Sequence, residues 1–198
     1  MKPRYFFSGD HHFWHKNIIL PEYENRPYMN DDSEPDVEAM NSDYIARWQE
    51  VVSDDDIVCY VGDLSFGGYK KTRQLLKELP GKLIYIQGNH DNKAVLKALD
   101  ESGKLLFPVA YMHVMELEGQ HIILSHCAFQ VWFGSHHGSW NLYGHSHGNL
   151  KEVGKKMDVG VDAMCKRGLP PAPVPFEFIR GILDSRSIVH FDHHDTRR

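Results

Sequence analysis

The chain has few cysteines and no long apolar run. Its 198 residues include three cysteines, Cys59, Cys127 and Cys165. Their odd number and the absence of C-x-x-C spacing predict neither a disulfide framework nor a thiolate zinc knot, and suit buried thiols in a reducing compartment. No apolar run approaches the roughly 18 residues of a membrane span, and the N-terminus soon meets a charged, histidine-rich segment. We therefore expect a cytoplasmic protein with no membrane partner.

The chain also lacks an excess of basic residues. A formal net charge of −5 argues against an extended nucleic-acid surface, although it leaves a small phosphorylated substrate open. The length and the 41% of hydrophobic residues suit a single domain over residues 1–198 with one sizeable core. Histidine is the outlier at fourteen residues, which favours metal ligation. The tail pair, His193 and His194, is expected to bind stray metal.

Short apolar runs alternate with amphipathic stretches in the first hundred residues. Runs rich in β-branched and aromatic residues, stopped by glycine or polar residues, predict strands over 4–8, 56–61 and 82–87. Helical spacing of apolar residues predicts helices over 35–51, 69–79 and 92–102. This β-α-β-α-β order favours a parallel sheet with helices on its faces.

The second half of the chain is richer in predicted strands. The runs 111–117 and 121–126 flank Glu118-Gly119-Gln120 and predict a hairpin. Further strands are expected over 140–145 and 155–162. The prolines between 170 and 175 predict an extended connection to a helix over 176–183, followed by a last strand over 187–191.

Polar side chains follow the carboxyl ends of five predicted strands. They are Asp10 and His12, Asp63, Asn89 and His90, His126, and His145 and His147. In open α/β sheets this edge is where ligands bind. In an extended chain residues i and i+2 project to the same side, so each closely spaced pair is expected to converge. Mixed oxygen and nitrogen donors without thiolate favour a divalent transition metal. The alternative is that these polar residues at strand ends have no common function.

In this order, five blocks of the chain resemble the signature blocks of the calcineurin-like metallophosphoesterases. They are Asp10-x-His12, Gly62-Asp63, Gly88-Asn89-His90-Asp91, an isolated His126 and Gly144-His145-x-His147. The stretches "HHFWHKNII" and "DVGVDA" are similar to small bacterial and phage members. The resemblance implies an α/β fold, a four-layer α/β/β/α sandwich of two mixed sheets flanked by helices. Phe66 departs from the pattern, since many relatives have Asp or Asn there.

The resemblance also implies a cofactor of two divalent metal ions. Asp63 would bridge them, and the other ligands would be Asp10, His12 and His147 for one ion and Asn89, His126 and His145 for the other. This donor set favours Mn²⁺, with Fe, Zn²⁺ or Ni²⁺ as alternatives. Two divalent ions, two carboxylates and a bridging hydroxide leave a charge of about +1 for an anionic substrate. The hydroxide would attack the phosphoester, so that no serine or cysteine nucleophile is needed.

His90 has no metal in this scheme. The resemblance implies that it protonates the leaving oxygen, which suits an imidazole because that ring titrates near neutral pH. Asp91 is expected to hold the His90 ring through its other nitrogen, and a structural histidine is the alternative. His15 and Arg26 are weaker candidates for substrate binding, against capping or surface roles for His15 and plain solvation for Arg26. Cys127 is expected to be buried packing.

The sequence leaves the substrate and the oligomeric state open. We expect a phosphodiesterase, with small or cyclic nucleotides as candidate substrates. Residues 129–140 are expected to form a loop over the site, where Trp132, Phe133 and Trp140 either stack on a base or sugar or anchor the loop. One alternative is a nuclease or phosphomonoesterase on the same metals. Another is a non-catalytic scaffold that binds proteins, although relatives of that kind tend to lose the residue that matches His90.

Overall fold

The strands of the protein form two four-stranded mixed sheets. The computed structural model describes residues 2–24 and 26–190. Its strands are β1 (Tyr5–Ser8), β2 (Ile57–Tyr60), β3 (Lys82–Tyr85), β4 (Met112–Leu117), β5 (Gln120–Ser125), β6 (Trp140–Tyr143), β7 (Lys156–Asp158) and β8 (Val174–Pro175). The first sheet has the order β3-β2-β1-β8 and the second the order β4-β5-β6-β7. The predicted α/β sandwich of two mixed sheets flanked by helices is confirmed.

Five α-helices connect and flank these strands. They are α1 (Val37–Val51), α2 (Gly68–Glu78), α3 (Lys93–Asp100), α4 (Val161–Cys165) and α5 (Phe176–Leu183). Two begin at side-chain caps that satisfy their first backbone N–H groups: Asp36 accepts from Ala39 before α1, and Asn92 accepts from Ala94 and Val95 before α3. Within residues 2–24 and 26–190, every helix is too short or too polar to cross a bilayer.

Strand direction brings the ends of several strands to one edge. In the first sheet β1, β2 and β3 run parallel, and β8 pairs with β1 antiparallel. In the second sheet β5, β6 and β7 run parallel, and β4 forms an antiparallel hairpin with β5. The segments that follow β1, β2 and β3 therefore leave one edge of the first sheet together, as those after β5 and β6 do in the second.

The first sheet is buried on both faces. Neighbouring residues of β1 alternate between two cores, since Phe6 packs with α1, α2 and α3 while Phe7 packs towards the second sheet. Val58 and Cys59 repeat this alternation in β2. A strand buried on both faces is apolar at nearly every position, and this explains why these strands were visible as short continuous apolar runs.

Most predicted elements form within a few residues of the expected bounds, with two exceptions in the second half. The strand expected over 155–162 stops at Asp158, because α4 begins at Val161. The strand expected over 187–191 is wrong for residues 187–190, which have no regular structure. Residue 191 and the pair His193 and His194 lie outside the described residues.

The segment 126–139 runs away from the carboxyl edge of the second sheet. Because β5 and β6 are parallel, the chain must return to the amino end of β5 before β6 begins. There the Gln120 side chain donates to the carbonyl of Gly138 at 3.1 Å. Trp132 is buried and donates to Ser139, Trp140 is part of the core between the sheets, and Phe133 is exposed. The prediction that this loop covers the site is therefore wrong.

Candidate metal centre

Five of the seven predicted ligands have a left-handed backbone. Their φ angles are 56° at Asp10, 52° at His12, 58° at Asp63, 66° at His145 and 48° at His147. Such a conformation costs of order 1–3 kcal/mol in a non-glycine residue and concentrates at functional sites. The sequence predicted that each pair converges because residues i and i+2 of an extended chain point to the same side. That prediction is wrong, because the backbone at these residues is not extended. In both pairs, residues i and i+2 are left-handed kinks beyond the strand end.

Backbone hydrogen bonds between the segments hold these kinks in place. Beyond the end of β1, the N–H groups of Asp10 and His12 donate to the carbonyls of Gly62 and Asp63 at 3.0 and 3.2 Å. Across the two sheets, the His145 N–H donates to Asp10 Oδ2 at 2.9 Å. The positions of Asp10, His12 and His145 are thus set by neighbouring segments that carry other candidate ligands.

Glycines allow the segments to approach the carboxylates. A Cβ at Gly88 would lie 2.1 Å from Asp63 Oδ1, and a Cβ at Gly144 would lie 2.5 Å from Asp10 Oδ2. Gly160 makes the same kind of approach, because its Cβ would lie 2.4 Å from Asp10 Oδ2. The motif glycines at 88 and 144 are therefore required by packing against the ligands. Gly160 was not predicted, although it lies within the quoted stretch "DVGVDA".

Asp10, His12 and His147 form the first ligand cluster. Each offers a ligand atom, and these atoms lie within 4.8 Å of one another. Asp10 and His12 are buried, yet Asp10 Oδ1 and both ring nitrogens of His12 have no hydrogen-bond partner among the described residues. Buried polar atoms without partners are rare and costly in proteins. Burial, and then the charges of Asp158 and Asp63, raise the pKa of Asp10, so a cation would relieve this carboxylate.

His126, Asn89 and His145 form the second cluster. His126 Nδ1 lies 2.7 Å from the carbonyl oxygen of Val61, which can only accept, so this nitrogen carries a proton. Nε2 of the same ring faces Asn89 Oδ1 at 2.7 Å and Asp63 Oδ2 at 3.4 Å. His145 Nδ1 also lies 2.8 Å from Asn89 Oδ1. With its proton on Nδ1, a neutral His126 ring would point its Nε2 lone pair at Asp63 Oδ2, and a cation between these two atoms would relieve their repulsion.

Asp63 lies between the two clusters. Its Oδ2 is 3.7 Å from His12 Nε2 and 3.4 Å from His126 Nε2. Ligand atoms of Asp10, Asp63 and His126 also lie within 4.8 Å of one another. Asp63 is therefore near both clusters, and the donors suit one or more divalent cations.

A buried aspartate supports the first cluster from behind. Asp162 Oδ2 accepts from His147 Nδ1 at 2.6 Å, which leaves the other ring nitrogen of His147 for a metal. Arg26 donates to both oxygens of Asp162, at 2.9 and 2.7 Å. Burial alone would raise the pKa of Asp162, but Arg26 and His147 lower it below the ordinary carboxyl value. Asp162 was not predicted, although the stretch "DVGVDA" contains it.

Arg26 is turned into the protein. Its guanidinium also donates to the carbonyls of His11 and Asp10, at 2.6 and 2.7 Å, and its side chain is only 2% exposed. The prediction that Arg26 binds the substrate phosphate is wrong, and so is the alternative of a solvated loop arginine. Arg26 is buried because Asp162 is a buried carboxylate that needs a cation beside it.

Asp91 supports the segment that carries Asp63. Its carboxylate accepts from the N–H groups of Asp63, Leu64 and Gly88 and from the hydroxyl of Tyr85, at 2.8 to 3.1 Å. The ring of His90 is not among its partners. The prediction that Asp91 orients this ring is therefore wrong, since backbone groups occupy both of its oxygens.

His90 is exposed beside the ligands. Its backbone N–H donates to Asp63 Oδ1 at 2.8 Å, and its ring centroid lies 5.6 Å from that of His12. His15 is half-buried and stacks on Phe66, with ring centroids 4.2 Å apart. Both residues therefore stand at the mouth of the site, where their proposed roles stay predictions. Cys127 is exposed, so the expectation of a buried thiol is wrong there.

Comparison with known proteins finds an archaeal relative whose name gives no activity. The uncharacterized protein MJ1445 of Methanocaldococcus jannaschii is 36% identical over an alignment of 193 positions, and the alignment covers 93% of this chain and 93% of that protein. This chain belongs to the family of that archaeal protein. No protein-family model matches the present chain.

Two solved structures are similar to this chain. The protein of unknown function AQ665 from Aquifex aeolicus has a TM-score of 0.63 at 18% identity, with 90% of this chain and 98% of that chain covered. The two proteins therefore share a fold. YfcE, a phosphoesterase from E. coli, has a TM-score of 0.37 at 19% identity, with 79% and 75% covered, which is below the level that indicates a common fold.

Proposed function

We propose that this protein is a metal-dependent phosphoester hydrolase of the calcineurin-like metallophosphoesterase type. The observation that carries the proposal is the buried, unpartnered donor set of Asp10 and His12 beside His147. Donors of this kind, arranged next to a carboxylate that reaches a second cluster, suit divalent-metal chemistry on phosphate. The order of the ligand blocks along the chain supports the same assignment.

The proposed site holds two divalent ions, with Mn²⁺ favoured and Fe, Zn²⁺ or Ni²⁺ as alternatives. Asp63 would bridge them, and its nearness to both His12 and His126 supports this role. When bound, such ions supply a hydroxide near neutral pH and polarise the phosphoryl oxygens. Asp162 would fix the ring of His147, and Asp91 would fix the segment that carries Asp63. His90 would give its proton to the leaving oxygen as that oxygen departs.

A phosphodiester is the substrate class that we favour. The charge of about +1 expected at the loaded site matches a diester monoanion better than a monoester dianion. Arg26, which would have added a positive charge at the phosphate, is committed to Asp162. Asn89, His90 and His145 are all exposed, so the site is open enough for two ester substituents.

The exposed thiols of Cys127 and Cys165 suit a cytoplasmic location.

The test is an activity screen of Mn²⁺-loaded protein. Aryl phosphodiesters, aryl phosphomonoesters and cyclic nucleotides are compared, and metal content is measured on a variant in which His193 and His194 are replaced by alanine. We expect close to two ions per chain and faster turnover of diesters. Asp63→Asn should lower metal content and activity together, because it removes half of the carboxylate charge from the site. Saturation by a single ion would refute the bridged pair, and two ions without turnover would favour a scaffold.

A further inference from the structure

We propose that Phe66, backed by His15, forms a stacking platform for a planar aromatic group on the leaving side of the substrate, such as the base of a nucleotide ester. Phe66 is 39% exposed although it stands beside buried metal-ligand candidates. Exposed aromatic side chains at a polar site offer a flat apolar surface on which bases stack whatever their sequence.

The platform consists of rings that already contact one another. The rings of Phe66 and His15 are nearly parallel, with an angle of 15° and a centroid distance of 4.2 Å. His12 and His90 lie 5.6 and 5.3 Å from the Phe66 centroid. Tyr23, which is 58% exposed, extends the aromatic surface at 6.5 Å from His15. Phe66 therefore lies between the candidate metal ligands and the open mouth of the site.

The backbone holds Phe66 in this position. Its N–H donates to the carbonyl of Phe13 at 2.8 Å, and Ser65 forms a bridge with the buried Phe13. The Ser65 hydroxyl is within 2.8 Å of that of Thr72. With its backbone held in this way and its ring stacked on His15, Phe66 loses little conformational freedom when a ligand stacks on it.

The position of His90 decides which part of the substrate meets Phe66. This step rests on the proposed function, in which His90 protonates the leaving oxygen. The group attached to that oxygen must then lie beside the His90 ring. The centroid of this ring is 5.3 Å from that of Phe66. The tryptophans that the sequence offered for stacking, Trp132 and Trp140, are buried elsewhere. Phe66 is therefore the aromatic residue placed to select the leaving group.

The test compares binding of two ligands that differ only in the base. They are the P-methyl esters of the methylene phosphonate analogues of adenosine 5′-monophosphate and ribose 5-phosphate, which keep the single negative charge of a diester and in which a P–C bond replaces the bond to the leaving oxygen. Calorimetry on the Mn²⁺-loaded chain should show the adenine compound binding roughly 10- to 100-fold more tightly. Phe66→Leu should remove most of this preference, and Phe66→Trp should retain it. Phe133→Leu, an exposed aromatic at the opposite end of β5, should leave it unchanged.

Two results would overturn the inference. One is equal affinity of the wild type for both analogues, and the other is an undiminished adenine preference in Phe66→Leu. Hydrolysis of bis(p-nitrophenyl) phosphate is measured on the same preparations. Because that assay reports the proposed activity and the binding ratio reports the platform, each hypothesis can fail without the other.

Discussion

His147 Nδ1 lies 2.6 Å from Asp162 Oδ2, and this contact joins the candidate metal centre to the buried guanidinium of Arg26. A carboxylate in this position holds the proton on Nδ1, so that Nε2 presents its lone pair to a cation. The same carboxylate is kept ionised by Arg26, which also donates to the carbonyl of Asp10. One buried ion pair therefore orients ligands that are far apart in the sequence.

Replacing Asp162 by asparagine should weaken metal binding. The amide lacks the negative charge that favours the Nδ1–H tautomer of His147, and loss of such a partner costs about 10- to 100-fold in metal affinity. Calorimetric titration with Mn²⁺ measures the effect, and circular dichroism checks the fold. Asp100→Asn, at an exposed position on α3, is the matched control. Equal affinity in the two variants would show that Asp162 does not position His147.

Replacing Arg26 by methionine should destabilise the fold strongly. The change leaves Asp162 buried without its cation and removes the donors to two backbone carbonyls, which costs about 3–5 kcal/mol of unfolding free energy. Arg47→Met is the control, because the Arg47–Asp43 pair is partly exposed on α1 and is worth about 0–1 kcal/mol. Urea denaturation compares both variants with the wild type. Losses of similar, small size would place Arg26 at the surface, contrary to the structure.

The sequence brought the candidate ligands to one edge but did not predict the residues that support them, for a physical reason. Candidate ligands such as Asp63 and His126 follow apolar strands closely, so local pattern and strand direction were enough to bring them to one edge. Arg26 and Asp162 are 136 residues apart, the first in a polar loop and the second among buried apolar residues. Their pairing depends on how α4 packs behind the first ligand segment, which no local pattern reports.

The structural expectations were correct where local pattern determines the structure and incorrect where contacts between distant residues determine it. The strand β2 was predictable because burial on both faces makes it continuously apolar. Residues 187–190 have β-branched side chains but no neighbouring strand, and propensity alone does not form a sheet. The left-handed backbone of Asp10 and His145 was also invisible, because tertiary hydrogen bonds impose it against local preference.

Replacing Gly88 by alanine should displace the proposed bridging carboxylate. The added Cβ would lie 2.1 Å from Asp63 Oδ1 and 2.4 Å from its backbone nitrogen, so Asp63 must move. We expect at least tenfold weaker Mn²⁺ binding, since ligand displacement costs more than loss of an outer partner. Gly181→Ala is the control, because nothing lies near its Cβ and alanine favours a helix by roughly 0.5–1 kcal/mol. Unchanged metal affinity in Gly88→Ala would contradict the proposed position of Asp63.

Replacing His90 by alanine should lower turnover without removing metal. The His90 side chain is not a proposed ligand, and the loss of a general acid costs on the order of 10² to 10⁴ in kcat. The loss should depend on the leaving group, because nitrophenolate departs without a proton whereas a ribose alkoxide does not. The measurement is kcat of wild type and His90→Ala on an aryl diester and on a dinucleotide, alongside metal content.

The pattern of losses across the two substrates distinguishes the roles open to His90. A large loss on the dinucleotide and a small loss on the aryl diester, at unchanged metal content, identifies proton donation to the leaving oxygen. Equal losses on both substrates would instead indicate that the imidazole stabilises charge on the phosphoryl group in the transition state. His121→Ala, an exposed histidine on β5 distant from the ligand edge, should affect neither substrate. Full activity of His90→Ala on both substrates would leave His90 with a structural role at its turn.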